Sequence, residues 1–454
     1  MTFTIPDVEK RLQDRYQQLV QEHAGQAQAG AAGPRLLPNE TSTHAAAMAA
    51  WRFFQNPRIT FTRLAQPLLQ AAADAAQRHC QQFALVPLDW SKLDFRHHPS
   101  KTDCTQIGNS DERGYKLLSA LLLDDQLGLP RAPVCMQLQT AQGLLSSRFD
   151  RPRRCLSTLD ELTPLLSFVH TLPLGKRPVC VIDAEADSVA HYRQWDQRGW
   201  LFLVRADPER YARLAKADGE ELRLSALAER LQQQRALTQS RSVDYQGRPV
   251  QQYVAAAAVV LDRPACQNRV VEGKRRRRKI PGKALPLRLI ITELRDEQGQ
   301  VLERWYLLTN LPALVPAATV ALWYYWRWRI ETFFKLLKSA GQQVEHWQQE
   351  NGRALLKRLL VASMACVLAW RLAHSQAPAA AAARQLVMRL SGRQVEYGQE
   401  HTAEGLLAGV WVLLAMVAVL ETMSASQLKE LAQFVLAGSE EPAAAPPTPL
   451  REAG

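Results

Sequence analysis

Trp323-Tyr324-Tyr325-Trp326-Arg327-Trp328-Arg329-Ile330-Glu331-Thr332-Phe333-Phe334-Lys335-Leu336-Leu337-Lys338 is the stretch that decides how this 454-residue chain is read. Tyr324, Arg327, Glu331 and Lys338 are spaced three, four and seven apart. An α-helix turns about 100° per residue, so these steps predict four side chains along one stripe of a single helix. Trp326, Ile330, Phe333 and Leu337 make a second, apolar stripe with the same period. One face packs; the other carries a phenol, a guanidinium, a carboxylate and an ammonium. Cations and a hydroxyl suit a phosphodiester, and a carboxylate suits a divalent metal. The plainer alternative is a solvated Arg–Glu pair worth about 0.3 kcal/mol.

Working outward, two segments supply further carboxylates. Phe83-Ala84-Leu85-Val86-Pro87-Leu88-Asp89 is a short apolar run ending in an acid, which predicts a buried strand whose last residue emerges from the sheet. Val179-Cys180-Val181-Ile182-Asp183 has the same form, with Asp187 or Ser188 placed to cap a following helix. Asp94 lies near Asp89, and Glu185 and Asp187 lie near Asp183, so the residues alone leave the choice within each segment open. Sites in open α/β sheets form at the carboxyl ends of strands. Two such aspartates and a helix-borne glutamate make a set able to hold two divalent metals, which would polarise a phosphate and activate a water or 3′-hydroxyl.

The pattern Y-x2-R-x3-E-x6-K on Tyr324, Arg327, Glu331 and Lys338 resembles the YREK signature of bacterial cut-and-paste DDE transposases of the insertion-sequence type-four family. In that family the first acid is followed by small polar residues and then an aromatic-Arg-His triplet. Phe95-Arg96-His97 stands at that distance from Asp89, although Trp90 replaces the frequent Thr. Asp183-Ala184-Glu185-Ala186-Asp187 resembles the second motif, whose first Asp is the metal ligand. The resemblance therefore selects Asp89 and Asp183 and leaves Glu185 and Asp187 as capping or supporting groups. Trp51-Arg52-Phe53 with Asn56-Pro57 resembles an amino-terminal element, and Arg304 to Asn310 resembles the strand before the signature helix. The likeness runs from roughly residue 40 to 375.

The resemblance implies a ribonuclease H-like α/β core, interrupted by a β-rich insertion and flanked by helical ends. It implies that Asp89, Asp183 and Glu331 ligate two Mg2+ ions, with Mn2+ as a substitute. Tyr324, Arg327 and Lys338 are expected on DNA phosphates. By position, Trp305 is expected to stack on a flipped base; the alternative is ordinary core packing. The implied reaction is cleavage at the transposon boundary, a hairpin end, its opening, and joining to target DNA. The partners implied are double-stranded DNA and a second copy of the chain. Two other readings are an inactive transposase-derived DNA-binding protein and a structure-selective nuclease.

Composition agrees with a DNA partner. The formal charge is +12, and 47% of residues are hydrophobic, ordinary for a globular protein. The seven cysteines are scattered without a C-x-x-C pair, which argues against a disulfide scaffold or zinc site and points to a reducing cytoplasm. Met1 to Arg15 is mixed and charged, unlike a signal peptide. The apolar run Leu406 to Leu420 falls short of the roughly 20 residues that span a bilayer, so a buried or dimerising helix is expected and no membrane.

The expected organisation is a helical DNA-binding region at 1–75 that includes Arg52, with helical brace as the alternative. The core follows at 76–208 and 315–375, with the insertion at 209–314. A helical dimerisation region is expected at 376–437 and a disordered tail at 438–454. A Gly33-Pro34 break and cap candidates at 39–43 are expected in the first region. Core strands are predicted at 83–88, 92–97, 116–123, 134–139, 179–182 and 200–205. Within the insertion, Lys274-Arg275-Arg276-Arg277-Arg278-Lys279 is a run of six cations. Such a run repels itself and reads as a solvated loop; beside a nuclease-like centre it is expected to contact the DNA backbone.

Overall fold

The computed structural model describes residues 4–24, 43–154, 158–215, 220–234, 236–271, 274–394 and 400–437. The Gly33-Pro34 break, most of the 39–43 cap candidates and the 438–454 tail lie outside the described residues.

A mixed sheet dominates, with 14 strands among the described residues. The Phe83–Asp94 strand sits near its middle. On one side it pairs antiparallel with Arg113–Asp124, which pairs with Pro130–Thr140. On the other it runs parallel to Arg177–Ile182, which runs parallel to Leu201–Arg205. Three antiparallel strands joined to two parallel ones form the ribonuclease H-like core. The parallel pair requires a crossover, supplied by the Leu162–Thr171 helix and the chain around it. Ala84 to Leu88 and Val179 to Ile182 are buried, as strands covered on both faces should be.

Two predicted strands, 83–88 and 92–97, form one. The chain does not leave the sheet after Leu88, because Asp89 to Asp94 keep pairing with Ser119 to Gly114. Asp89 is thus a mid-strand residue, not the terminal one predicted. What ends at Leu88 is the parallel ladder, whose last pair is Leu88 with Ile182.

The insertion strands extend this same sheet. Val301–Thr309 pairs with Leu201–Arg205, then Leu285–Arg295, then Arg248–Leu261. The turn between Leu285–Arg295 and Val301–Thr309 has Gly299 at φ +79°, while Asp296 Oδ1 accepts from the amides of Gln298 and Gln300. The cationic run corrects its prediction: Lys274–Ile280 is a strand, paired antiparallel with Ala265–Val271 in a separate two-stranded hairpin. Cross-strand backbone bonding fixes it as a paired strand, where repulsion between like charges alone would leave it an unpaired extended segment.

Helix Gly352–His374 is the packing axis of the helical part, buried from Ala354 through Val367. Asn351 caps it by accepting from Ala354 N, and both oxygens of Asp103 accept from Gly352 N. Helices Lys10–Ala24 and Phe61–His79 and strand Pro130–Thr140 pack on it. His23 and Gln342 exchange two hydrogen bonds across this junction, at 2.8 and 2.7 Å. The amino-terminal helices therefore brace the core. Ala403–Leu420 is long and apolar enough to cross a membrane. Its first half, Gly405 to Val410, is buried, while Met416, Val417 and Leu420 are exposed. Five described cysteines, at 80, 104, 135, 180 and 366, are free and buried.

Candidate active site

Leu88 and Ile182 are partners in the parallel ladder, so the next residue of each strand, Asp89 and Asp183, stands beside the other at its end. Adjacent strands lie about 4.8 Å apart, which brings the two carboxylates together without any loop. Asp183 then starts a single 3-10 turn, Ala184–Ala186, accepting from Ala184 N at 2.7 Å. Asp89 accepts from Trp90 N at 2.8 Å.

The third acid arrives on the signature segment, which is not the single helix predicted. It comprises helices Ala317–Trp326 and Arg329–Leu337. Between them Arg327, Ile330 and Glu331 donate to the residue three back, at 3.0 Å each. This tightening divides the predicted helix in two, yet Tyr324, Arg327 and Glu331 still meet at the aspartates. Gly128, at φ +64°, lies against the Trp326 indole just before the break; a Cβ there would meet the ring at 2.2 Å.

Arg327 is the centre of the site. Its side chain is 3% exposed, and its guanidinium lies 2.5 Å from Asp89 Oδ2, 3.1 Å from Asp183 Oδ2 and 3.6 Å from Glu331 Oε1. One cation thus gathers all three acids. The Nε–H is buried without a hydrogen-bond partner among the described residues. Tyr324 is buried and donates to Asp183 Oδ1 at 3.1 Å. Arg205, at the end of the Leu201–Arg205 strand, also pairs with Asp183 Oδ1 at 3.0 Å. Sequence reasoning missed Arg205; the available signal was a cation ending the strand beside that of Asp183.

Burial raises the Asp89 and Glu331 carboxyls above their ordinary range, against the lowering pull of Arg327 and with added repulsion from the neighbouring acids. Burial also raises the Tyr324 phenol, which stays a neutral donor. For Arg327, burial disfavours the charge, but Tyr324 and the three carboxylates overcome it and the guanidinium is held more firmly protonated than usual.

The remaining predicted residues lie elsewhere. Lys338 ends the second helix, donates to Lys92 O at 2.8 Å and pairs with Glu345 at 3.1 Å. Trp305 is 2% exposed and meets Tyr324 edge-on, with ring centroids 5.2 Å apart. Stacking on a base would require that ring to be uncovered. The aromatic ring open to solvent here is Trp328, 45% exposed, with the Arg327 guanidinium 5.5 Å from its centroid. Arg52 is exposed in the groove between helices Lys10–Ala24 and Thr43–Gln55, near Arg11 and Arg58. Lys279 is exposed on the hairpin strand; Lys274, Arg275, Arg276, Arg277 and Arg278 share that strand. The neighbouring acids are engaged: Asp94 binds Arg96, and Asp187 binds Arg210 and Tyr192.

Among the described residues, no three acidic, His or Cys side chains are close enough to hold a metal as they stand. Around Arg327 the reason is visible: the guanidinium occupies the space between the oxygens. The donor set itself fits. Three carboxylates, two carrying protons more readily than usual, offer the hard oxygen ligands that Mg2+ or Mn2+ takes.

Two aspartates at the end of a parallel ladder and a glutamate from a helix thus form one acidic cluster. The sequence model of the Transposase DDE domain matches residues 85–368, more than half of the chain, and spans all three acids. The chain belongs to that transposase family. Comparison with curated proteins finds no match. Membership makes this a DNA-binding enzyme of the DNA-cleaving and strand-transferring kind, a class that uses divalent metal ions.

Proposed function

We propose that the protein is a cut-and-paste transposase of the insertion-sequence type-four kind, working through Asp89, Asp183 and Glu331 with Mg2+ in the cytoplasm. The observation that carries this is the meeting of the three acids on Arg327. When bound there, the metal supplies charge neutralisation at the scissile phosphate and activation of the attacking oxygen.

The chain's own residues do the rest. With a metal held by the acids, Arg327 would be released to turn its guanidinium to a phosphate oxygen, giving its unpaired Nε–H an acceptor. Tyr324 keeps its proton and donates to the same phosphate. Arg205 remains on Asp183 and fixes the rotamer of that carboxylate. Lys338 exchanges Glu345 for DNA backbone, and the cations from Lys274 to Lys279 add phosphate contacts. Arg52 contacts the transposon end from the amino-terminal helices. Trp305 takes a flipped base only after Tyr324 moves off it. The order of chemistry is first-strand cleavage, hairpin formation on the transposon end, hairpin opening and joining to target DNA. A second copy docks through the carboxyl-terminal helices and pairs the two ends.

The test uses a supercoiled plasmid carrying the inverted repeats that flank the coding region. Excision with Mg2+ or Mn2+ is expected, lost in each of Asp89→Asn, Asp183→Asn and Glu331→Gln. Retention of metal-dependent cleavage in all three variants overturns the site. Nicking without regard to the repeats favours a nuclease, and binding without cleavage favours an inactive derivative.

A further inference from the structure

The basic hairpin leaves the main sheet at Leu261 and returns at Leu285, which face each other in the ladder. Its legs converge on one side chain from a different element. Arg193, on helix Val189–Gln197, donates through Nη2 to the carbonyls of Leu261 and Arg263 at 3.3 and 3.1 Å on the outgoing leg. Through Nε it donates to Lys283 O at 2.8 Å on the returning leg. The fit is close: a Cβ on Gly282 would stand 2.6 Å from Nη1. The outgoing leg is further tied by ion pairs of Asp262 with Arg213 and of Arg263 with Glu221. Helix Val189–Gln197 itself follows directly on the Asp183 turn, and its Tyr192 is bonded to Asp187 at 2.6 Å.

We infer that Arg193 is a positioning residue that locks the root of the basic hairpin to the turn and helix carrying Asp183. DNA phosphates held by the hairpin are thereby placed at a set distance and direction from the catalytic acids. A guanidinium suits this task because its planar fork is rigid and pre-organised, so it holds several carbonyls in a fixed arrangement. The inference rests on the reading above that the hairpin contacts DNA.

The experiment measures the affinity of the full chain for fluorescein-labelled mixed-sequence duplex DNA across a salt series. Neutralising three hairpin cations (Arg275→Gln, Arg277→Gln, Lys279→Gln) is expected to lower the slope of log affinity against log salt by up to roughly 2.7, at about 0.9 per phosphate. Arg193→Ala and Gly282→Ala leave all six cations from Lys274 to Lys279 in place, so the slope changes by no more than roughly 0.9, for the one charge that Arg193 itself carries. What they lose is placement: at DNA concentrations that saturate binding, metal-dependent excision of the repeat-bearing plasmid is expected to fall by about tenfold or more, and Gly282→Ala serves if Arg193→Ala does not fold. Excision at the parent's rate in both variants beside a lowered slope in the triple variant overturns the inference while the hairpin reading stands. An unchanged slope in the triple variant removes the hairpin reading and the inference together.

Discussion

Replacing Arg327 with Gln separates two tasks: the counter-ion to the acids seen in the structure and the phosphate ligand of the proposed mechanism. Unit charges about 4 Å apart interact by roughly 4 kcal/mol at an effective dielectric near 20. Asp89 and Asp183 fall in that range with side chains 18% and 25% exposed. Glu331, at 38%, is screened by solvent and adds less. The guanidinium's own desolvation offsets part of this attraction. Removing one partner of a buried pair costs about 3–5 kcal/mol, and the exposure of the acids puts Arg327→Gln near the lower end, about 3 kcal/mol. Without metal, the variant should unfold at clearly lower urea concentration than the parent. With saturating Mn2+ the difference shrinks, because the ion neutralises the acids and no longer displaces a cation. DNA cleavage stays low, since the phosphate ligand is missing. Urea midpoints with and without Mn2+ decide the matter. An unchanged metal-free midpoint, or a metal-induced shift no larger than the parent's, refutes the counter-ion role.

Other outcomes follow from the same geometry. The raised Asp89 and Glu331 carboxyls bind protons more tightly folded than unfolded, so their contribution to stability falls as pH rises from the ordinary carboxylate range through the raised values. Metal-free urea midpoints measured across that window should show this slope, flattened in Asp89→Asn and Glu331→Gln and cancelled by Mn2+. Gly128→Ala forces a side chain at positive φ into the Trp326 indole, costing about 1–3 kcal/mol and lowering cleavage with it; thermal denaturation and plasmid excision read both effects. Lys338→Ala gives up a partly exposed pair worth about 0.5 kcal/mol, so its midpoint should barely move. Its DNA-binding salt slope should still fall by about 0.9.

Asp89 and Asp183 were legible because each follows an apolar run, and Glu331 because it falls on the helical spacing of Tyr324 and Arg327. Their meeting was not legible. It depends on the register that pairs Leu88 with Ile182, fixed by contacts between segments almost a hundred residues apart. The break after Trp326 carries no Pro or Gly to announce it; the tight bonding there accompanies three carboxylates converging on Arg327. Trp90-Ser91 reads as a gap between strands by composition, yet it stays in the ladder because Leu118 and Leu117 continue opposite it. The cationic run has poor strand propensity and became a strand because a partner strand faces it. Arg205 went unnoticed because a charge at a strand end ordinarily means solvent.

The uninterrupted ladder from the aspartate strands out to Arg248–Leu261 bears on protein engineering. A stretch joined to its host only by two peptide connections can be deleted or exchanged between relatives. Here deletion would strip Leu201–Arg205 of its neighbour Val301–Thr309 and bare a row of amides and carbonyls. That raw margin lies one strand from Asp183 and would seek a partner in other molecules. Chimeras trimmed between residues 209 and 314 should therefore precipitate rather than yield a smaller enzyme.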